Sequence, residues 1–166
     1  MNIFALSTGR GPSGIAILRL SGKDSLQISK LITKKNEIKS KEVNLCKFYD
    51  PSNGKMIDEG LLLWSPGPNS YTGEDLAEFH THGSNAVVSC FLRVLGDQVN
   101  CRLAEPGEFT KLAFQNNKMD LLEAESIGDL IHAETELQRQ QAIKLIQGNA
   151  SDHYNSLREK LIKSLS

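Results

Sequence analysis

The stretch from Pro66 to Gly83, PGPNSYTGEDLAEFHTHG, constrains the fold of this chain more than any other segment. Its opening residues are rich in proline and glycine and cannot continue a helix or a central strand, so they predict a loop. The residues from Asp75 to His82 then predict a strand, in which side chains at every second position share a face. One face carries Leu76, Glu78, His80 and His82, and the other carries Asp75, Ala77, Phe79 and Thr81.

A carboxylate and two imidazoles therefore share one face of the predicted strand. Buried Glu and His side chains need polar partners, which favours a functional site; a face turned to solvent explains the spacing equally well. His80 and His82 also have the spacing of two metal ligands, with Glu78 as a third. A single H-x-H is a weak signal without a fourth ligand, so we assign no metal ligand. We expect His82 to hydrogen-bond the following loop or helix start.

Length and charge limit the class of protein. The chain has 166 residues and a formal net charge of −1, which predicts one globular domain, or one domain with an appendage. This charge argues against a generally basic nucleic-acid surface, although RNA held mainly by other domains stays open. The sequence has no apolar run of membrane-spanning length and no signal-peptide pattern, so we expect a cytoplasmic protein without a membrane partner. Three widely spaced cysteines are expected to be reduced thiols.

The N-terminal segment Gly9–Gly14 formally matches the dinucleotide-binding pattern G-x-G-x-x-G. That pattern needs a helix directly after the glycines, whereas Ile15–Leu20 has the composition of a strand. We therefore predict a loop between two strands, Asn2–Ser7 and Ile15–Leu20. Arg19 lies inside the second, apolar run. It either faces water on an edge strand or points inward, where it needs an anion or a carboxylate partner.

Regular elements follow from periodicity and turn chemistry. A helix is predicted within residues 23–34, and Asn53-Gly54 predicts a hairpin of Val43–Tyr49 and Met56–Trp64. Ser84 is expected to cap a buried helix over Asn85–Leu95. A short strand at 101–104 and a short helix starting at Pro106 come next.

From Leu121 onward the chain shows only helical signals. Asp120 and Glu123 have the spacing of a capping box, and Gly148-Asn149 predicts a break between two helices. The apolar stripe of the last helix runs to Ser166 and needs a covering surface, because such a helix is unstable alone. We infer that the sequence is the front part of a longer chain, or that the stripe meets a partner.

Three motifs in this order carry a resemblance to a known family: GPSGIAILRLSG, PGPNSYTGEDLAEFHTHG and EPGEFTKLAFQNNKMDLLEAESIGDLI. Together they resemble the N-terminal region of the MnmE (TrmE) family of bacterial tRNA-modification GTPases. The likeness covers Asn2 to about Ile131, and the remaining helices resemble the start of that family's helical domain. It implies a tetrahydrofolate-binding and dimerisation domain over residues 1–119, followed by helices of a truncated central domain over residues 120–166.

The resemblance also implies a fold and a function. The fold is α+β, a small mixed-strand folate-binding domain similar to those of aminomethyltransferases. The full-length family hydrolyses GTP and, with the flavoprotein MnmG, modifies C5 of the wobble uridine (U34) of tRNA. Its implied cofactors are 5-formyltetrahydrofolate or 5,10-methylenetetrahydrofolate, with GTP, Mg²⁺ and K⁺ in the full-length protein. The implied partners are a second copy of the domain, MnmG and tRNA.

Carried over by motif, the family's folate contacts correspond to Arg19, Glu78 and Lys118. A pterin presents a row of N–H groups, and a carboxylate such as Glu78 can accept two parallel hydrogen bonds from neighbouring ones. Arg19 and Lys118 supply positive charge for folate oxygens or steady Glu78. No catalytic residue is assigned. The alternative function is a self-association scaffold in which Arg19 and Glu78 form a buried structural pair and no folate binds.

Two departures from the family pattern bear on these expectations. Glu105 stands where many members have an arginine before PGEF, so any ion pair of that arginine is in doubt. The sequence also contains no G-x-x-x-x-G-K-[ST] phosphate loop and none of the family's C-terminal cysteine motif. These residues alone are therefore expected to be inactive in GTP hydrolysis and in tRNA modification.

Overall fold

The computed structural model describes residues 1–147, 157 and 160–164. The chain forms two compact units, residues 1–112 and 113–166. The first contains a mixed six-stranded sheet with helices, so the fold is mixed α/β. The predicted division of function between residues 1–119 and 120–166 stays a prediction.

The sheet has the order β3-β4-β5-β2-β1-β6. All neighbouring strands are antiparallel except β1 and β6, which are parallel. The strands are β1 (Asn2–Leu6), β2 (Ser13–Ser21), β3 (Val43–Tyr49), β4 (Met56–Ser65), β5 (Leu76–Gly83) and β6 (Cys101–Leu103). The helices of this part of the chain are α1 (Ser25–Thr33), α2 (Asn85–Gly96) and α3 (Glu108–Gln115), the last running across the division between the units.

One face of the sheet forms the hydrophobic core with α1 and α2. Phe48 on β3, Phe79 on β5 and Phe91 on α2 are fully buried, and their ring centroids lie 5.0–5.8 Å apart. Burying one such side chain stabilises the fold by about 1.5–3 kcal/mol. Because side chains alternate along a strand, this core places the other residues of β2, β4 and β5 on the opposite, open face.

Several local predictions are confirmed. The glycine segment Gly9–Gly14 leads from β1 into a strand and not into a helix, since β2 begins at Ser13 within the segment, and the hairpin of β3 and β4 forms as expected. Ser84 caps α2, because its hydroxyl accepts a hydrogen bond from the Val87 N–H at 3.1 Å. The edge-strand alternative for Arg19 is wrong, since β2 lies between β5 and β1 inside the sheet.

The second unit contains α4 (Leu121–Ile131) and α5 (Glu136–Ile146). The predicted capping box is present: Asp120 Oδ1 accepts from the Glu123 N–H at 2.8 Å, and Glu123 Oε2 accepts from the Asp120 N–H at 2.7 Å. The predicted break at Gly148-Asn149 and the end of the last helix at Ser166 lie outside the described residues. Among the residues that are described, no helix is both long and apolar enough to cross a membrane.

Candidate functional site

Arg19 and Glu78 form an ion pair on the open face of the sheet. They are direct cross-strand partners, Arg19 on β2 and Glu78 on β5. Arg19 Nη2 lies 2.7 Å from Glu78 Oε1, and Arg19 Nε donates a hydrogen bond to the same oxygen at 2.9 Å. Their side chains are only 23% and 18% exposed. The two predicted site residues are thus brought together by strand pairing.

The pairing leaves part of Glu78 open to a further donor. Both Arg19 contacts go to Oε1, and no donor in the described part of the chain hydrogen-bonds Oε2. A carboxylate has about four lone-pair positions, two on each oxygen, so the two positions on Oε2 remain available. Arg19 therefore orients Glu78 without using all of its capacity to accept hydrogen bonds.

The ion pair lies within an otherwise apolar row of side chains. Across the sheet, Val43 is opposite Leu63, Leu63 is opposite Glu78, and Arg19 is opposite Ala5. Apolar neighbours reduce the local dielectric response, which strengthens an interaction between charges and raises the cost of leaving one unpaired. This environment suits a carboxylate that must hold one orientation.

Two aromatic side chains complete the surroundings of Arg19. Its guanidinium carbon lies 5.0 Å from the ring centroid of Tyr71 and 5.4 Å from that of Phe109, within the range of cation–π attraction. The Tyr71 and Thr110 hydroxyl oxygens lie 3.0 Å apart, so the 66–75 loop is linked to α3. Tyr71 and Phe109 lie within two of the motifs that carry the family resemblance, but no pattern in the sequence gives either residue a role.

Hydrogen bonds fix the loop that carries Tyr71. The Gly67 N–H donates to Asp75 Oδ1 at 2.8 Å, and Ser21 Oγ donates to Glu74 Oε2 at 3.0 Å. A Cβ atom on Gly67 would lie 2.8 Å from the Gly73 carbonyl oxygen, which is too close for any larger residue without a backbone shift. The glycine is therefore needed for the loop to fold back on itself and place Tyr71 near Arg19.

The histidines take no part in the Arg19–Glu78 contacts. The expectation that His82 bonds the following loop or helix is wrong: its Nδ1 lies 2.9 Å from Asp58 Oδ1, and its backbone N–H donates to Asp58 Oδ2 at 2.7 Å. Burial raises the pKa of Asp58, but these hydrogen bonds outweigh burial and leave the pKa below its ordinary value. Within the described residues, no group of three His, Cys, Asp or Glu side chains is placed to hold a metal ion.

Lys118, the third predicted ligand, belongs to the second unit. Its side chain is exposed, and its backbone N–H donates to the Ala113 carbonyl at 2.8 Å, which closes the turn after α3. Asn117 before it has a φ of 54°, a left-handed conformation that asparagine tolerates better than most residues. The role of Lys118 stays a prediction.

The fold and the site define a mixed α/β domain that carries an oriented, incompletely used carboxylate on its open sheet face. Residues 2–118 match the family model described as "GTP-binding protein TrmE N-terminus", and the chain belongs to this family. It is 57% identical over its full length to a tRNA modification GTPase MnmE of Pelagibacter ubique, covering 38% of that relative. It is 44% identical, over 99% of its length, to the MnmE of Parvibaculum lavamentivorans, of which it covers 37%.

The similarity extends to mitochondrial proteins. The human 5-taurinomethyluridine-[tRNA] synthase subunit GTPB3 is 45% identical over 165 residues, which are 99% of this chain and 34% of the human protein. The chain therefore spans less than two-fifths of the length of these relatives and corresponds to their N-terminal region.

Proposed function

We propose that this chain is the folate-binding and dimerising part of a cytoplasmic GTPase that modifies C5 of the tRNA wobble uridine U34 together with the flavoprotein MnmG. The observation that carries the proposal is the Arg19–Glu78 pair, in which Glu78 keeps Oε2 available. These side chains fit a pterin. The Glu78 carboxylate accepts hydrogen bonds from neighbouring N–H groups of the ring, and the Tyr71 and Phe109 rings supply apolar surface. The aminomethyltransferase-like fold belongs to this proposal.

Each ligand residue has a distinct role in the proposed site. Glu78 accepts hydrogen bonds from the pterin, and Arg19 holds Glu78 in one orientation. Lys118 offers an ammonium to a folate oxygen. When bound, 5-formyltetrahydrofolate or 5,10-methylenetetrahydrofolate supplies the one-carbon unit. The protein's contribution is to position this donor, which lowers the entropic part of the barrier. GTP, Mg²⁺ and K⁺ belong to the GTPase part of the proposed full-length protein.

The open face of the sheet supports self-association. Val43 and Leu45 on β3 are 68% and 64% exposed, and Leu61 on β4 lies opposite Leu45 on the same face. Contiguous exposed apolar side chains mark interaction surfaces, because leaving them in water is unfavourable. We propose that a second copy of the domain covers this face, next to the folate site.

Calorimetric titration of the chain with 5-formyltetrahydrofolate tests the proposal, with the molecular mass of the same sample measured by light scattering. Glu78→Gln should weaken binding by about 10- to 100-fold, because one charge-assisted hydrogen bond contributes about 1.5–3 kcal/mol. Glu125→Gln on α4 is the matched control, since it removes the same charge from an exposed helical site outside the sheet. No heat with the folded wild-type chain would remove the folate role, and equal affinity for the Glu78→Gln variant would remove Glu78 as a ligand.

The alternative is a scaffold that self-associates and docks a partner protein without folate. The low exposure of Arg19 and Glu78 favours it, since each side chain already has a partner within the chain. In that case Arg19→Ala should lower the unfolding temperature, and 5-formyltetrahydrofolate should leave it unchanged in every variant.

A further inference from the structure

The charge of the first unit is distributed unevenly. Residues 30–55 contain seven lysines and three acidic residues, a local net charge of +4 in a chain whose total is −1. Of the three acids, Asp50 pairs with Arg93 and Glu42 pairs with Lys39. The near-neutral net charge of the whole chain argued against a basic surface, but it conceals a local basic surface within residues 30–55.

Part of this positive charge surrounds a shallow cleft at the C-terminal end of α1, which we name the α1 cleft. Its volume is about 420 Å³. The residues that line it are Gln27, Lys30, Leu31, Lys34, Lys35 and Asn36. In the described part of the chain, none of the three lysines has a carboxylate within ion-pair distance. Three uncompensated ammonium groups therefore share one small surface.

Two of these ammonium groups are held in place by neutral groups. Lys35 Nζ donates to the Leu45 carbonyl at 2.7 Å, and Lys34 Nζ lies 4.1 Å from the ring centroid of Tyr49. Neither contact cancels the charge, and an ammonium keeps further N–H donors after one bond. The C-terminal end of α1 contributes about half a negative charge, which three lysines exceed.

The chemistry of the cleft fits a phosphodiester backbone better than a small buried anion. The C-terminal end of a helix presents carbonyl oxygens, which repel an anion seated against them, whereas long lysine stems reach outward to phosphates. Lysine is a point charge without the planar fork of arginine, and lysine, Gln and Asn side chains are typical backbone contacts in nucleic-acid complexes. Relatives of this chain are named as tRNA-modifying proteins.

We propose that the α1 cleft contacts the phosphate backbone of the tRNA substrate through Lys30, Lys34 and Lys35. The identity of the RNA rests on the proposed function; the positive surface does not. The contact is independent of base sequence and contributes affinity and orientation rather than base recognition.

The test is fluorescence anisotropy of a labelled, unmodified tRNA with the 166-residue chain at several salt concentrations. The triple variant Lys30→Gln/Lys34→Gln/Lys35→Gln should bind at least tenfold more weakly at low salt. The slope of log affinity against log salt should fall in magnitude by about 2 to 3, because each lost phosphate contact removes about 0.7–0.9. The control Lys111→Gln/Lys144→Gln/Lys160→Gln has the same net charge, removes exposed lysines elsewhere, and should change affinity less than about twofold.

A second variant guards against loss of folding. The triple Lys→Arg variant keeps all three charges and should keep RNA binding, and thermal unfolding of each variant is measured in parallel. Equal losses in the two Gln triples, no binding by the wild type, or binding to phosphatidylglycerol vesicles in place of RNA would each overturn the proposal. 5-Formyltetrahydrofolate should bind the α1-cleft variant with unchanged affinity, so failure of the RNA contact is distinguishable from failure of the folate site.

Discussion

Breaking the Arg19–Glu78 ion pair by mutation measures how much this contact contributes to the free energy of unfolding. At the observed 2.7 Å, Coulomb's law with an effective dielectric constant of about 20 gives roughly 6 kcal/mol before desolvation. Desolvation removes much of this. Exposed pairs contribute at most about 1 kcal/mol, and breaking a fully buried pair costs about 3–5 kcal/mol. With side chains 23% and 18% exposed, we expect a coupling free energy of about 1–3 kcal/mol.

A double-mutant cycle of Arg19→Ala, Glu78→Ala and the combined variant gives this coupling. Urea unfolding is followed by the fluorescence of Trp64, which is the only tryptophan and lies on β4 of the first unit. Arg19→Ala also loses the contacts with Tyr71 and Phe109, so it should destabilise the unit more than Glu78→Ala. That extra loss occurs in both arms of the cycle and cancels from the coupling.

Two results would refute the reasoning at different points. A coupling below about 1 kcal/mol would mean that the pair contributes no more than an exposed one. With 5-formyltetrahydrofolate at 100 times its Kd, the wild type should gain about 2.7 kcal/mol of stability, and the Glu78→Ala variant should gain much less at the same concentration. An equal gain in stability would eliminate Glu78 as a folate ligand, while the measured coupling free energy of the ion pair would still hold.

The other predictions concern the framework around the site. Gly60→Ala should destabilise the sheet by more than about 2 kcal/mol, because the added Cβ would lie 2.0 Å from the His80 carbonyl oxygen; Gly14→Ala, with open space around it, is the control for calorimetric unfolding. The Arg102 hydrogen bond lowers the pKa of Glu108 to about 2, so its contribution to stability is complete above pH 4.5 and is lost as the pH falls toward 2. NMR titration of Glu108 should show the pKa rising toward its ordinary value in Arg102→Gln, and an unchanged pKa would contradict the assigned cause.

Features determined by neighbouring residues could be predicted from the sequence. The Asp120–Glu123 capping box forms because two side chains three residues apart reach each other's backbone N–H groups. The Asn53-Gly54 turn is likewise predicted by its own two residues, because Asn-Gly is a residue pair that hairpin turns favour. Alternation along β5 also separates Glu78 from the buried Phe79 as expected.

Features determined by strand order could not be predicted in this way. Whether Arg19 faces water depends on β1 covering the free edge of β2, and β1 is itself held by a parallel contact with β6, about a hundred residues later. The partner of His82 depends on where β4 meets β5, which no local pattern around His82 reveals. Tyr71 and Phe109 lie outside the strands, in a loop and at the start of α3, so no periodicity marks them as neighbours of Arg19.

The geometry of the site depends on the core on the opposite face of the same strands. Leu18, Leu20 and Phe79 are fully buried and alternate with Arg19 and Glu78 along β2 and β5. Because side chains have a period of two, a slip of one residue between these strands would expose the core residues and bring the charged pair inside. Such a slip would cost several kcal/mol of lost apolar burial, about 1.5–3 kcal/mol for each large side chain. The core thus holds the register that places Arg19 opposite Glu78, and the available oxygen of Glu78 follows from packing on the other side of the sheet.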